Sequence, residues 1–68
     1  MEDPLAQAER HVFEFEARVV QQFAIIEALQ RQGFEQQAEL ALELLETLQH
    51  SLDMARDHLL DERSRSGR

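Results

Sequence analysis

Three histidines are the residues of this sequence whose type and spacing could support chemistry at a site. His50, Met54 and His58 follow one another at intervals of four residues, which places them on one face of a helix. Imidazole and carboxylate ligands suit zinc, iron or nickel, so one interpretation is a transition-metal site in which His11, His50 and His58 join nearby acidic residues. The other interpretation is that exposed histidines beside carboxylates simply border a contact between helices.

The spacing of the acidic residues argues against the metal site. Di-iron helical bundles use a Glu three residues before a His, whereas the corresponding positions here hold Ala8, Thr47 and Ala55. We therefore predict no metal and no cofactor. A nucleophile–base pair, a Gly-rich phosphate loop and paired buried carboxylates cannot be read from the chain either, so we expect a protein that is not an enzyme.

The composition restricts the partners. The 68 residues include fourteen acidic and seven basic side chains, with no Lys and no Cys, and the formal net charge is −7. Duplex nucleic acid is held mainly by Lys and Arg that neutralise phosphates, so the charge disfavours nucleic acid and, for the same reason, an anionic membrane surface. A chain of this size buries only about 60% of the surface that its unfolded form exposes, so it usually needs a further source of stability such as a disulfide, a metal or another subunit. Because this chain has no Cys, self-association is the common way to supply that stability.

The apolar content of the chain and its first residues predict where the protein is found in the cell. No stretch approaches the roughly 20 apolar residues that span a bilayer. The acidic start at residues 1–4 lacks the basic lead and the apolar core of a secretory signal. We therefore expect a cytoplasmic protein without a membrane segment.

Two uninterrupted stretches predict helices that would position these side chains. Asp3 followed by Pro4 is typical of a helix start, and Gly33 is typical of a helix end. We predict a first helix over about 4–32 and a second over about 35–60, within one domain over 1–62. The remaining residues, 63–68, are polar and predict a flexible tail.

Apolar residues recur every seven positions in both predicted helices, which is typical of a coiled-coil seam. Folding the chain at Gly33 aligns the two seams in one register, with a large side chain opposite a small one in four of seven layers. The fold class is therefore all-α, an antiparallel two-helix hairpin. The seam residues are Leu5, Ala8, Val12, Phe15, Val19, Gln22, Ile26 and Leu29 in the first helix, and Phe34, Ala38, Ala41, Leu45, Leu48, Leu52, Ala55 and Leu59 in the second.

Gln22 is the polar member of the first seam, where it faces Leu45. Single polar seam residues can set the register or the oligomeric state of a coiled coil, and this is the interpretation that we favour. The alternative is that Gln22 extends its amide to the edge of the seam.

The positions beside the seam differ between the two ends of the hairpin. Near the termini they are polar, with Glu9 opposite Arg56 and Glu16 opposite Gln49. Near the turn they are apolar, and a single hairpin cannot cover so wide a band. We therefore expect two hairpins to pack into a four-helix bundle. The candidates for this dimer interface are Phe13, Val20, Phe23, Ile25, Phe34, Leu40, Leu42 and Leu44.

A pattern over roughly residues 8–60 resembles a group of short, uncharacterised helical-hairpin proteins typical of alphaproteobacterial genomes. The resemblance implies the same hairpin and a bacterial source, and it assigns no catalytic or ligand-binding residue. It is carried by His11-Val12-x-Glu14-x-Glu16-x-Arg18-Val19, Gln22, Ile25-Ile26, Leu29, Gly33, Ala38, Leu44-Leu45, Leu48, Ser51-Leu52 and His58.

The function that these observations favour is protein–protein interaction by a homodimeric hairpin, whose partner is a second copy or a larger protein that takes the second copy's place. The alternative is an RNA-binding hairpin dimer that contacts phosphates through Arg10, Arg18 and Arg31 on the first helix. We favour a simpler interpretation of these arginines, in which they pair with Glu14 and Glu27 on a solvated surface.

Overall fold

The structure, a computed structural model, describes residues 2–66 and contains two long helices that fold back on each other. Helix α1 spans Pro4–Arg31 and helix α2 spans Glu35–Ser66. Together they form a rod of 51 × 18 × 16 Å. The predicted all-α helical hairpin is confirmed. Over the described residues, neither helix has a segment that is long and apolar enough to cross a membrane.

Helix α1 begins and ends where the sequence predicts. The Asp3 carboxylate accepts a hydrogen bond of 2.7 Å from the Ala6 amide, with Pro4 at the first helical position. At the other end Gly33 has a φ of 81°, in the left-handed region that glycine adopts without a steric penalty. The amide of Phe34 then donates to the Leu29 carbonyl at 2.9 Å, which closes the helix and reverses the chain.

The core is a single layer of side chains along the seam. Ile26, Ala41 and Leu45 form its buried centre, with Val19 and Leu29 packed against them. All predicted seam residues are buried or half-buried except one. The exception is Phe34, which lies in the turn before α2 and is 48% exposed.

The second helix runs to Ser66, beyond its predicted end, so the predicted tail is helical as far as this residue. Glu62 continues the seven-residue spacing of the seam and is 9% exposed, so this turn packs against α1. Arg65 lies 3.3 Å from the Glu62 carboxylate, and the Ser66 hydroxyl donates to the Glu62 carbonyl at 2.9 Å. The last two residues of the predicted tail, Gly67 and Arg68, lie outside the described residues.

Candidate functional site

The apolar side chains predicted for an interface are all exposed in the single hairpin. Their exposed fractions range from 42% for Leu42 to 71% for Phe13. Met54 and Leu60 are also large, apolar and exposed, at 59% and 60%, and were missing from the prediction. Met54 could have been found from the sequence, because it lies fourteen residues after Leu40 on the same helical face.

These exposed side chains lie on two sides of the hairpin rather than in one band. Residues two apart on a helix are roughly 200° apart around its axis, so Phe23 and Ile25 lie on opposite sides of the seam. Leu42 and Leu44 are separated in the same way on α2. Phe23 and Leu42 line one depression together with Ile26, which shows that these two belong to the same side.

We name the two sides by their residues on α1. The Phe23 side comprises Phe13, Val20, Phe23 and Leu42. The Ile25 side comprises Ile25, Leu40, Leu44 and Met54.

The Phe23 side carries a groove near the turn. Phe23 and Leu42 stand on either side of buried Ile26, and a second depression continues the groove over buried Ala38. Each depression holds about 310 Å³. The acidic residues that line the two depressions are Glu27, Glu35 and Glu39.

The Ile25 side is nearly free of charge between Arg18 and Met54. Within the described part of the chain, Arg18 is the single charged residue that helical spacing places there. Its guanidinium lies 5.4 Å from the centre of the Phe15 ring, a cation–π arrangement. The polar residues that accompany the apolar ones on this side are all neutral: Gln21, Gln32, Gln37, Thr47 and Ser51.

Gln22 is buried in the seam and donates from its side-chain amide to the Ala41 carbonyl at 2.9 Å. This bond joins α1 to α2 inside the core. It is the geometry expected of a residue that sets the register, because sliding one helix along the other would separate the donor from its acceptor. The alternative, an amide extended to the edge, does not fit a side chain that is only 7% exposed.

The histidines are only partly brought together. His11 and His58 line one groove between the helices, with Phe15, Met54 and Ala55. His50 is exposed and does not line this groove. Among residues 2–66, no three His, Asp or Glu side chains are grouped in a way that could hold a metal ion.

The arginines of α1 are engaged with acidic or aromatic neighbours. Arg10 lies 3.2 Å from Glu14, and Arg31 lies 3.6 Å from Glu27, as the simpler interpretation of these residues expects. Both contacts join exposed side chains on the surface of α1.

At the N-terminus of α1, Glu2 also contacts Arg10. The Nε and Nη2 atoms of Arg10 donate to the Glu2 carboxylate at 2.8–3.1 Å. This hydrogen bonding lowers the pKa of Glu2 below its usual value of 4.5, and it raises the pKa of Arg10.

The ion pair between the helices differs from the predicted pairs. Arg56 meets Glu16 at 3.3 Å, rather than the predicted Glu9, and Glu16 is therefore not matched with Gln49. The reason is that helical side chains lean towards the N-terminus of their own helix. In an antiparallel pair, Arg56 leans towards the turn while Glu16 leans away from it, so these two side chains converge.

Comparison of the chain with protein-family models, with curated proteins and with solved structures finds no match. The residues themselves therefore carry the functional argument.

Proposed function

We propose that this protein is a non-enzymatic interaction module that acts as a homodimer, in which two hairpins pack through their Ile25 sides into a four-helix bundle. The observation that carries the proposal is the combination of exposed apolar side chains and missing charge on that side. Ile25 and Leu44 are 43% and 51% exposed, beside neutral Gln, Thr and Ser residues.

The symmetry of a dimer makes the missing charge important. In a two-fold interface the same surface meets itself, so any cluster of like charges faces its own copy. The Ile25 side avoids this repulsion between residues 18 and 54, where Arg18 is its one charge. The Phe23 side does not avoid it, because Glu27 and Glu39 stand beside its groove.

The hairpin exposes more surface than a compact chain of its mass. Its accessible surface is 5284 Å², whereas a compact monomer of 7.9 kDa typically exposes about 4,400 Å². Packing a second hairpin against one side would remove much of this excess.

Sedimentation equilibrium at micromolar concentration tests the proposal with two matched variants. Leu44→Gln changes the Ile25 side and Leu42→Gln changes the Phe23 side. The two leucines have similar exposure, 51% and 42%, on the same helix. We expect the parent and Leu42→Gln to sediment as dimers, and Leu44→Gln to dissociate at least about tenfold more readily, as for a central interface residue.

Two results would contradict the proposal. One is a parent that sediments as a folded helical species of 7.9 kDa. The other is dissociation of Leu42→Gln with Leu44→Gln unaffected, which would assign the interface to the Phe23 side. Circular dichroism of each variant separates loss of association from loss of folding.

A further inference from the structure

We propose that the Phe23 side binds a basic amphipathic helix of a partner protein. The groove on this side differs in charge from the surface assigned above to self-association. The inference does not depend on that assignment, because it is carried by the shape and charge of the Phe23 side alone.

The groove has the form that receives one face of a helix. Its base is formed by Ile26 and Ala38, which are 5% and 4% exposed, and Phe23 and Leu42 project beside them. Two adjoining depressions share Leu42 and give the groove its length along the hairpin. The depression beside Phe23 is lined mainly by apolar side chains, whereas the one over Ala38 is also lined by Gln30, Glu35 and Glu39. An amphipathic helix would place apolar side chains in the first depression and its polar edge against the second.

The apolar surface extends from the groove towards the termini. Val20 lies three residues before Phe23, and Phe13 lies seven residues before Val20, on the outer part of the same side. They are 70% and 71% exposed, among the highest values for apolar residues of this chain. A bound helix of several turns would cover these side chains as well as the groove.

The charge around this apolar surface selects a basic partner. Glu27, Glu35 and Glu39 line the groove. Within the part of the chain that the structure describes, Glu35 and Glu39 take part in no ion pair. Glu27 is 3.6 Å from Arg31, and both side chains are 73% exposed, so this contact is weak and a partner cation can replace it.

A second copy of this chain is a poor occupant of the groove. It would bring its own Glu27, Glu35 and Glu39 against the same residues, and the chain has no Lys to offset them. Arg56, a cation on this side, lies fourteen residues after Leu42, in the half of the hairpin that holds the termini and away from the groove. Lys or Arg on the polar face of a partner helix would instead meet these carboxylates, which increases the association rate and excludes acidic competitors.

Fluorescence anisotropy with a labelled synthetic peptide tests the proposal on the full chain. The probe is a Leu/Lys peptide of about five helical turns whose leucines fall on one face. Its control has the same composition in a scrambled order, so that its net charge is identical and its apolar face is lost. We expect the ordered peptide to bind at least about tenfold more tightly than the scrambled one, with affinity that falls as salt is added.

Variants of the two sides locate the binding surface. Leu42→Gln should weaken the ordered peptide about tenfold, while Leu44→Gln, the matched change on the Ile25 side, should leave its affinity unchanged. The double variant Glu27→Gln and Glu39→Gln alters exposed side chains that the fold does not need. It should weaken binding about threefold and reduce the dependence on salt, as expected for exposed ion pairs.

The proposal is overturned if the scrambled peptide binds as tightly as the ordered one, since the attraction is then only that of net charge. It is also overturned if neither peptide binds, or if Leu44→Gln weakens binding as much as Leu42→Gln. Loss of self-association in Leu42→Gln alone would show that a second copy occupies the groove, which likewise excludes the partner helix.

Discussion

The half of the hairpin beside the turn and the half that holds the termini share one seam but border it differently. Beside the turn, Phe23 and Leu42 border one side of the seam and Ile25 and Leu44 the other, and all are exposed. Towards the termini, Glu16 and Arg56 form an ion pair on one side of the seam. On the other side, His11 and His58 line a groove between the helices.

This difference separates what holds one hairpin together from what is available to a partner. Ion pairs such as Arg56 with Glu16 or Arg65 with Asp61 remain in contact with water, so the charged groups that border the seam in the terminal half need no partner. The half beside the turn exposes apolar surface that water solvates poorly. Partner binding is therefore expected near the turn, and the predictions below test whether the two halves differ in stability as they do in surface.

The largest expected loss of stability comes from truncating a core leucine in each half to Ala. Leu45 and Leu52 are 5% and 6% exposed, so the transfer free energy lost on truncation to Ala is nearly equal. Leu45 packs in the buried cluster with Ile26 and Ala41, whereas the seam neighbours of Leu52 are half-buried and can shift to fill a gap. We expect a loss of about 3–4 kcal/mol in the free energy of unfolding for Leu45→Ala and about 1 kcal/mol less for Leu52→Ala.

Urea unfolding followed by circular dichroism measures both losses, with the slope of the transition confirming that each variant unfolds in one step. Leu52→Ala as the more damaging change would reverse the comparison and show that the terminal half holds the better-packed core.

A smaller change in stability is expected at Gln22, whose buried side-chain amide lies in the half beside the turn. In Gln22→Leu the Ala41 carbonyl loses the bond of 2.9 Å from the side chain, but as a helix carbonyl it keeps a backbone partner. We expect a change in stability within about 1 kcal/mol, because an apolar replacement of similar size leaves no buried polar group unpaired. The register should nevertheless become less specific.

Distances between spin labels measure the register in this case. Labels attached to cysteines at Glu16 and Arg56, exposed positions on opposite helices, should give one narrow distance distribution in the otherwise unchanged chain. With Gln22→Leu, the distribution should broaden. An unchanged distribution would mean that the apolar layers alone fix the register.

The smallest effect is expected at the N-terminus, where acid should release Glu2 from Arg10. The pKa of Glu2 is lowered in the folded chain, so its pairing stabilises the helix start above pH 4.5 and is lost as the pH falls through the lowered value. The Gln7 amide bonds to the Asp3 carbonyl at 3.0 Å, so its protection against hydrogen exchange, corrected for the intrinsic rate at each pH, should decrease in that range.

The control for this measurement is Arg10→Gln, which removes the partner without changing the acids. The part of the pH dependence due to Glu2 should disappear in this variant, and the amides around Ile26 should be unaffected in either protein. Equal changes at both ends of α1 would mean that acid acts on the whole hairpin rather than on the helix start.

Much of the fold could be predicted because it follows from local rules. The seven-residue spacing defines which face of each helix is buried, and Gly33 supplies the left-handed residue on which the chain turns. The predicted end of α2 is too early because Glu62 is charged and gives no apolar signal at its position in the seam. Its position, seven residues after Ala55, was the signal that could have extended the helix.

The eight interface candidates are exposed in the single hairpin, and their role in an interface stays a prediction. The expected single band does not include the helical rotation between Phe23 and Ile25, which places these two side chains on opposite sides of the seam. Among the residues that the structure describes, Glu27, Glu35 and Glu39 border the groove of the Phe23 side.

The sequence by itself determined the helices, the turn and the register of the seam, since each depends on residue type and on spacing along the chain. The tertiary structure decided which polar groups meet between the helices. Gln22 donates to the Ala41 carbonyl, and Arg56 pairs with Glu16. These contacts depend on the direction and length of side chains on different helices, which the spacing of residues along the sequence does not show. The groove lined by Phe23 and Leu42 is likewise formed by residues of two helices packed together.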